Sequence, residues 1–326
     1  MSIENMLRAI LFQLNPEVAH RLSQFLIQLR YNAHFSANQF NKPISVFGLN
    51  FKNPIGMAAG WDKNADCFDA LFRMGFGFVE VGGVTPKAQL GNPKPRLFRV
   101  KTQQALINRM GFNNIGINAL VDKISVRQEP GILGVNIGKN KETSLENAAE
   151  DYQICLKAVF PYADYVTINI SSPNTLNLRK LQCQSYLQEL LFSLNTMRKQ
   201  LGAMHQKHMP LLVKTSVDLP VAEHVSFVQT VMDNEIDGLI ISNTTTHHAY
   251  KENGGLSGAP LRLPTSNMIQ SIAQLTSGKL PIVGVGGILN ASDAAMHMKS
   301  GATLLQILTG FVYRGPELLQ EILKKM

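Results

Sequence analysis

The sequence is poor in cysteine and has no long apolar run. Among its 326 residues only Cys67, Cys155 and Cys183 are cysteines, and no two of them form a C-x-x-C pair. Cysteines this far apart argue against a zinc site, an iron–sulfur cluster or a disulfide framework, and they fit a reducing cytoplasm. No apolar run approaches the roughly 18 residues of a membrane-spanning helix. Residues 1–15 lack the basic start and unbroken apolar core of a signal peptide. We therefore expect no metal site and no cleaved leader.

The basic residues do not cluster either. The chain has no lysine- and arginine-rich block and no aromatic-basic motif, which argues against nucleic acid as a partner. The net charge of +8 instead suits an anionic ligand or a negatively charged membrane surface. With 45% apolar and 17% charged residues, the composition is that of a soluble globular protein with a large core. The length is normal for a single α/β barrel with additions.

Residues 1–40 differ in pattern from the rest and predict a helical extension in front of a domain that spans residues 41–326. Apolar residues recur at helical spacing in two runs that Asn15-Pro16 separates, and proline is common in the first turn of a helix. The runs consist of Ile3, Met6, Leu7, Ile10, Leu11 and Leu14, and of Val18, Leu22, Phe25, Leu26 and Leu29. We interpret them as a hairpin of amphipathic helices. It is either a lid packed on the main domain or a surface that dips into a membrane interface.

From residue 44 onward, short strand-like segments alternate with helix-length amphipathic stretches. The strand-like segments are residues 55–58, 78–82, 132–137, 165–170, 211–215, 238–242, 281–286 and 303–308. Eight strands that are mostly followed by helices predict a (β/α)8 TIM barrel, an α/β fold, with a doubly wound open sheet as the alternative. The longest interruption, residues 86–131, is expected to form an elaborated loop over one face.

Nearly every predicted strand ends in polar or glycine-rich residues. In a barrel of this kind the carboxyl ends of the strands and the following loops carry the active site, so this concentration favours an enzyme over a structural protein. Gly284, Gly286 and Gly287 follow the seventh strand, and Thr309-Gly310 follows the eighth, which is the usual phosphate position of these barrels. These residues predict a phosphate site, with a tight turn between strand and loop as the alternative.

Lysines and asparagines occur at the same strand ends. Lys63 and Lys214 each follow apolar strand residues and can neutralise an anion, stabilise a reduced cofactor or form a Schiff base. A solvated position beyond the strand is the alternative for each. Amides, which offer both donors and acceptors, recur at Asn108, Asn136, Asn169, Asn174 and Asn243. Converging amides would suit a planar ligand with alternating carbonyl and N–H edges, such as a pyrimidine, although each could be a turn residue by itself.

Taken together, these segments resemble the dihydroorotate dehydrogenase family over essentially the whole chain. The motifs that carry the resemblance are, in order, NPIGMAAGWDKN, KPRLFR, LINRMGFNN, GVNIGKNK, NISSPNT, NTTT, GGLSG and GVGGI. The resemblance implies a (β/α)8 barrel that binds FMN and oxidises (S)-dihydroorotate to orotate in de novo pyrimidine biosynthesis. Two features are similar to the class 2 branch, which uses a quinone and associates with the membrane. One is the N-terminal helical pair, and the other is serine at a base position where class 1 enzymes carry cysteine.

The class 2 resemblance also implies the partners. The electron acceptor would be ubiquinone or menaquinone. The protein would lie peripherally on the cytoplasmic face of the cell membrane and would need no iron–sulfur subunit. Three alternatives stay open at this point. One is a class 1 enzyme with a soluble acceptor, and the second is a Schiff-base aldolase on the same barrel with Lys214 as its nucleophile. The third is a non-catalytic, membrane-bound barrel.

Carried over residue by residue, the resemblance implies roles for the motif residues. Ser172 would be the catalytic base, with Thr175 in its proton relay. His20 and Arg99 would line the path of the quinone, with a surface position as the alternative for His20. FMN would contact Ala59, Gly60, Lys63, Gly83, Asn136, Asn169, Lys214, Ser242, Gly258, Gly287, Leu308 and Thr309. Dihydroorotate would contact Lys63, Asn108, Arg109, Met110, Gly111, Phe112, Asn169, Asn174, Asn243 and Thr244.

Three residues depart from the family pattern. Gly83 stands where relatives often carry threonine, so a side-chain hydroxyl contact to FMN would be lost. Leu308 stands where relatives commonly have tyrosine near the quinone path, so one quinone contact would differ. Ser242 replaces a common threonine and should preserve its hydroxyl.

The local pattern and the resemblance disagree about which of two neighbouring serines is the base. Side chains alternate along a strand, so Asn169 is expected to face the barrel interior, and continuing that alternation favours Ser171 as the inward hydroxyl. The resemblance instead favours Ser172. Pro173 restricts the backbone of Ser172 to extended angles, so the alternation need not continue into the turn.

Overall fold

The short apolar segments form strands, and the amphipathic stretches between them form helices. The computed structural model describes residues 3–31, 41–175 and 178–326. The strands are β1 (Ile44–Val46), β2 (Leu49–Phe51), β3 (Ile55–Met57), β4 (Phe78–Val84), β5 (Leu97–Val100), β6 (Ala105–Asn108), β7 (Ile132–Ile137), β8 (Tyr165–Asn169), β9 (Leu211–Ser216), β10 (Gly238–Asn243), β11 (Gly255–Gly258), β12 (Ile282–Val285) and β13 (Leu304–Ile307). The α-helices are α1 (Ile3–Leu11), α2 (Pro16–Tyr31), α3 (Phe68–Met74), α4 (Ile117–Ile124), α5 (Ala148–Val159), α6 (Gln184–His205), α7 (His224–Asp233), α8 (Arg262–Leu275), α9 (Ala291–Lys299), α10 (Thr309–Arg314) and α11 (Pro316–Lys325).

Eight of these strands close into a barrel. Their order is β3-β4-β7-β8-β9-β10-β12-β13, with β13 pairing back to β3. Neighbouring strands are parallel around the whole barrel. The barrel strands coincide with the predicted segments to within two residues at either end. The predicted (β/α)8 barrel is therefore confirmed, and the open sheet is excluded.

Aromatic side chains fill the amino-terminal end of the barrel. Phe78 and Tyr165 occupy the first positions of β4 and β8, and their ring centroids lie 6.4 Å apart. The residues paired with them on the neighbouring strands are Gly56 and Gly134, where an added Cβ would lie 2.4 and 2.1 Å from the respective rings. Glycine is needed at both positions because the rings occupy that space. The hairpin β1–β2, which the sequence analysis did not predict, closes this end, and its Phe51 packs edge-on against Phe78.

A polar layer lies directly above these rings. Glu80, the next inward-facing residue after Phe78 on β4, is fully buried. One of its carboxylate oxygens accepts a hydrogen bond from Asn136 Nδ2 at 2.8 Å, and the other accepts from Tyr165 Oη at 3.0 Å and Gln306 Nε2 at 2.7 Å. A buried charge without partners costs several kcal/mol, so these donors from β7, β8 and β13 are what allow a carboxylate to lie in the barrel centre.

The outward-facing residues of the strands pack against the helices. On β8 and just after it, Val166, Ile168 and Ile170 are completely buried in the apolar layer between strands and helices, in the same cluster as Leu156 of α5 and Leu191 of α6. Successive strand residues point to opposite faces, so the residues between them, including Asn169, face the barrel interior. The alternation expected for this strand is present.

Residues 86–131 form the predicted elaboration beyond the barrel strands. Within them β5 and β6 pair antiparallel, and β11, from a distant part of the chain, adds to β6 to give the sheet order β11-β6-β5. The sequence analysis predicted the insertion but not the contribution of β11. Pairing between residues so far apart in sequence leaves no local pattern to read.

The helices α1 and α2 form the predicted hairpin and pack on the barrel. Glu17 in the first turn of α2 forms an ion pair with the buried Arg96, at 3.2 Å between carboxylate and Nε. Further along α2, Gln24 Nε2 donates to the backbone carbonyl of Trp61 at 2.8 Å. The domain boundary expected at residue 40 falls within residues 32–40, which lie outside the described residues. None of the helices within residues 3–31, 41–175 and 178–326 has the length and hydrophobicity of a membrane span.

Replacing Tyr165 tests the buried carboxylate. Tyr165→Phe removes one of the donors to Glu80 and leaves the charge in place, so we expect the free energy of unfolding to fall by about 1.5–3 kcal/mol. Urea denaturation followed by circular dichroism measures it. Tyr162→Phe is the matched control, since Tyr162 is 38% exposed, and it should change the free energy by less than about 0.5 kcal/mol. Equal effects of the two substitutions would contradict the assigned role of Tyr165.

Candidate active site

One cavity brings together nearly all residues that the sequence analysis assigned to ligands. It has a volume of about 1010 Å³ and lies between the carboxyl ends of the barrel strands, the sheet β11-β6-β5 and the helices α1 and α2. This volume is at the upper end of small-molecule sites, which span roughly 300–1,000 Å³. The predicted residues that line it are His20, Ala59, Gly60, Lys63, Gly83, Arg99, Asn108, Met110, Gly111, Phe112, Asn136, Asn169, Ser172, Asn174, Lys214, Ser242, Asn243, Thr244, Gly258, Gly287, Leu308 and Thr309.

Arg109, like Thr175 and Gly284, is a predicted residue that does not line the cavity. Its guanidinium donates to the backbone carbonyls of Asn253 at 3.1 Å and Pro95 at 3.0 Å, and it lies over the ring of Phe98. It also pairs with Glu252 at 3.6 Å. The Arg109 side chain therefore has its partners outside the cavity, and its contact with the substrate stays a prediction.

Lys63 presents the ammonium of a half-buried side chain to the cavity. Its Nζ donates to Asn113 Oδ1 at 3.1 Å. Burial, with a smaller contribution from the charge of Arg96, lowers the pKa of Lys63 to about 8. An anionic ligand beside this ammonium would favour its charged form, so the position suits a carboxylate. The sequence analysis did not single out Asn113, although the first asparagine of GFNN was the available signal.

The two serines of NISSPNT have different surroundings. Ser171 is fully buried, and its Oγ donates to the backbone carbonyl of Lys214 at 2.7 Å and accepts from Asn243 Nδ2 at 3.1 Å. Ser172 lines the cavity, and its Oγ accepts from the backbone N–H of Asn174 at 3.3 Å. The Ser171 hydroxyl is thus committed to contacts within the protein, whereas the Ser172 hydroxyl faces the space where a ligand would lie.

The asparagines form a hydrogen-bonded chain with a defined direction. Because a carboxylate only accepts hydrogen bonds, Asn136 must turn its NH2 group toward Glu80. Its Oδ1 then accepts from Asn169 Nδ2 at 2.9 Å, and Asn169 Oδ1 accepts from Asn243 Nδ2 at 3.4 Å. The carboxylate in the barrel thereby sets which amide atoms face the cavity. The sequence analysis missed Glu80, although an acid in the middle of the apolar segment FVEVG was a signal.

Lys214 places a second cation at the same cavity wall. It is 6% exposed and lies at the inner side of β9, two residues after Leu212. Burial lowers its pKa, and the negative charge of Glu80 opposes this effect. The buried ammonium suits an anionic or electron-rich ligand edge.

Glycines shape one end of the cavity. Gly286 and Gly287, after β12, have φ values of +127° and +76°, and Gly258 at the end of β11 has +96°. A Cβ on Gly287 would lie 2.3 Å from the backbone of Arg262. Glycine is favoured at these angles, and its missing side chain leaves backbone amides accessible to an anion. With Thr309 beside them, these loops fit the predicted phosphate site.

Two of the residues that depart from the family pattern, Gly83 and Leu308, have defined neighbours. A Cβ on Gly83 would lie 2.5 Å from the ring of Phe112 and 2.9 Å from Asn136 Oδ1. The Phe112 ring therefore occupies the space that a larger residue at position 83 would need. Leu308 covers the loop after β3, since its Cδ1 lies 3.5 Å from the position of a Cβ on Gly60.

His20 and Arg99 line the cavity where the N-terminal helices cover it. The His20 ring packs edge-on against Trp61, with centroids 4.9 Å apart, and burial lowers its pKa to about 4. It is therefore neutral at physiological pH, and the alternative of a surface histidine does not apply. Arg99 donates to the carbonyls of Leu11 at 3.2 Å and Leu14 at 2.8 Å. A cation at these carbonyls stabilises the end of α1.

Glycine-lined loops beside two lysines, several amides and a serine, all at the carboxyl ends of the strands, are typical of the active site of a barrel enzyme. The comparisons with known proteins narrow this class. The family model described as dihydroorotate dehydrogenase matches residues 43–326. The chain therefore belongs to the dihydroorotate dehydrogenase family, whose members are flavin-dependent.

Relatives in this family match along almost their entire length. The dihydroorotate dehydrogenase (quinone) of Marinomonas sp. (strain MWYL1) is 49% identical over 325 residues, which cover 96% of this chain and 94% of the relative. The protein of the same name from Methylococcus capsulatus is 47% identical, with 99% and 98% covered. A crystal structure of DHODH from Eimeria tenella in complex with ferulenol superimposes with a TM-score of 0.88 at 34% identity, covering 95% of this chain and 90% of that one.

Proposed function

We propose that this chain oxidises (S)-dihydroorotate to orotate and delivers the electrons to a respiratory quinone, a step of de novo pyrimidine biosynthesis. The observation that carries the proposal is the continuity of the cavity. It joins the strand ends, where Ser172 and Lys63 lie, to the space beneath α1 and α2, where His20 and Arg99 lie. The names of the Marinomonas and Methylococcus relatives support the same reaction here.

FMN is the flavin that we propose. Its phosphate would lie at the glycine-lined end, with Gly258, Gly287 and Thr309, and the Lys214 ammonium would lie beside the electron-rich edge of the ring. Its other contacts would be Ala59, Gly60, Lys63, Gly83, Asn136, Asn169, Ser242 and Leu308, all of which line the cavity. When bound, FMN accepts the hydride of the substrate and passes electrons on to the quinone.

Dihydroorotate would bind between Lys63 and the amides. The Lys63 ammonium, held by Asn113, is placed for the substrate carboxylate. Asn174 Nδ2 donates to Asn108 Oδ1 at 3.0 Å, so these two amides already lie together at the cavity wall. The pyrimidine edges would be bound by Asn108, Asn169, Asn174, Asn243 and Thr244, with Met110, Gly111 and Phe112 as the adjoining wall.

Ser172 would remove the proton from C5 of the substrate. A serine hydroxyl is a weak base near neutral pH, so it needs a proton acceptor and a site from which bulk water is excluded. Thr175 Oγ1 is buried and has no hydrogen-bond partner within the described residues. This unpaired hydroxyl three residues from Ser172 supports a relay in which Thr175 and a water pass the proton of the Ser172 hydroxyl on to solvent outside the site.

The helical hairpin would rest in the interface of the cytoplasmic side of the cell membrane, with no separate iron–sulfur subunit. The outer face of α2 carries an apolar stripe at helical spacing, in which Val18, Leu22, Phe25 and Leu29 are all exposed. Apolar residues exposed along one helix face favour an interfacial position. Ubiquinone or menaquinone could then enter the cavity beneath the helices from the lipid.

Flavin spectroscopy tests the proposed function. The purified protein should be yellow, and anaerobic dihydroorotate should bleach the flavin absorbance. Adding a short-chain ubiquinone should restore the colour, whereas fumarate or NAD+ should not. A restoration by fumarate or NAD+ alone would favour a class 1 enzyme. A colourless protein that borohydride inactivates in the presence of substrate would favour an aldolase that uses Lys214.

Substituting the serines separates the two candidate bases. Ser172→Ala should slow flavin reduction by dihydroorotate by about 10²–10⁴-fold, the usual contribution of a general base, while the flavin remains bound. Ser171→Ala should have the smaller effect, because its hydroxyl serves hydrogen bonds inside the protein. Stopped-flow absorbance measures both rates. The assignment fails if Ser172→Ala is reduced at nearly the normal rate, or if Ser171→Ala is the slower variant.

Charges on the exposed stripe test the membrane contact. In Val18→Glu/Phe25→Glu, two residues that are each 54% exposed and do not line the cavity become acidic, so we expect at least about a tenfold loss of binding to anionic lipid vesicles. Reduction of a soluble dye by dihydroorotate should not change. Phe192→Glu, on a 65% exposed residue of α6, is the control and should bind vesicles normally. Unchanged sedimentation of the double variant with vesicles would contradict the interfacial location.

A further inference from the structure

One arginine joins three loops at the mouth of the barrel. Arg179 Nε donates to the backbone carbonyl of Ser171 at 3.2 Å, and its Nη2 donates to that of Thr244 at 2.9 Å. Its Nη1 pairs with Asp218 Oδ2 at 2.7 Å and donates to Thr246 Oγ1 at 3.2 Å. These partners follow β8, β9 and β10, so a single planar guanidinium connects the loops after three consecutive barrel strands.

Asp218 fixes this guanidinium in place. Its side chain is 8% exposed. Its carboxylate accepts hydrogen bonds from Thr245 Oγ1 and from the backbone N–H of Thr246, the latter at 2.9 Å. Burial opposes the charge, but the hydrogen bonds of Thr245 and Thr246 and the charge of Arg179 hold the pKa of Asp218 below its usual value. The acid is therefore ionised at neutral pH, and a charge-assisted hydrogen bond to arginine is stronger than a neutral one.

The carbonyls that Arg179 binds belong to the immediate neighbours of two site residues. Ser171 precedes Ser172, and Thr244 follows Asn243. Neither Arg179 nor Asp218 is among the residues that line the cavity. Their effect on a ligand must therefore pass through the backbone of these loops. A displacement of about 1 Å in a reacting group can cost 10²-fold in rate.

We propose that Arg179, locked by Asp218, is a positioning residue for the oxidation of dihydroorotate. It holds the loop of Ser172 and the loop of Asn243 at a fixed separation, so that base and amide meet the same bound substrate. The inference rests on the proposed function. Because Arg179 acts only on loops of the substrate side, it should affect the half-reaction with dihydroorotate and not the half-reaction with quinone, which involves the helical side of the cavity.

Measuring the two half-reactions separately tests this proposal. In Arg179→Ala holoenzyme, flavin reduction by dihydroorotate should slow by about 10–100-fold. Reoxidation of photoreduced enzyme by a short-chain ubiquinone should stay within about twofold of the wild-type rate, with normal flavin content. Arg179→Lys should be slowed too, since one ammonium cannot reproduce the planar fork. Millimolar guanidinium chloride should partly restore Arg179→Ala. Lys180→Ala, on the exposed neighbouring residue, is the control and should match wild type in both half-reactions.

Several outcomes would overturn the proposal. Equal slowing of both half-reactions, or loss of flavin, would show a general structural role for Arg179. Normal flavin reduction in Arg179→Ala would show no role in positioning. If the wild-type protein were not reduced by dihydroorotate at all, the proposed function would fail, and hydrogen–deuterium exchange would then decide whether Arg179 holds the loops. Peptides containing residues 171–175 and 243–246 should exchange faster in Arg179→Ala than in Lys180→Ala. Unchanged exchange would show that Arg179 does not hold these loops together.

Discussion

The carboxylate of Glu80 constrains the whole interior of this barrel. It lies in the barrel interior without exposure to bulk solvent. It therefore depends on the donors of Asn136, Tyr165 and Gln306, which come from three different strands. Those strands must keep their register to satisfy it, since an unpaired buried charge costs several kcal/mol. Below the carboxylate the barrel is filled by aromatic rings, and above it the amides receive their direction. One acid thus separates the part of the barrel that provides stability from the part that binds ligands.

A small number of polar contacts likewise attaches the N-terminal helices to the barrel. Arg96 pairs with Glu17, and Arg99 donates to the backbone carbonyls of Leu11 and Leu14. Arg96 directly precedes β5 and Arg99 lies within it, so the insertion between barrel strands carries the cations that hold the hairpin. Polar contacts of this kind need few residues, which leaves the outer apolar stripe of α2 uncovered. The helices can therefore close the cavity and still present an apolar face outward.

Local patterns predicted the barrel well because its strands are apolar runs that end in polar or glycine residues, a signal contained in each segment alone. They could not predict β11 of the small sheet, whose partner β6 is far away in the chain, or the very short strands β1 and β2. The different surroundings of Ser171 and Ser172 depend on the turn geometry, since alternation ends with the strand. The position of Arg109 follows from alternation instead. It comes directly after Asn108 at the end of β6, and alternation places it on the other face from Asn108.

The lining of the cavity also differs between its two ends, which suits two ligands of opposite character. At the strand ends it presents Lys63, Lys214 and several amides, which favour a polar anion. Beneath the hairpin it presents Leu7, Leu11 and a histidine that burial keeps neutral. An apolar quinone would gain little among the lysines and amides, whereas the leucines beneath the hairpin offer it apolar contacts. We therefore expect the quinone on the hairpin side and the anion at the strand ends, so the two need not compete for one position. A planar cofactor between them could react with both in turn.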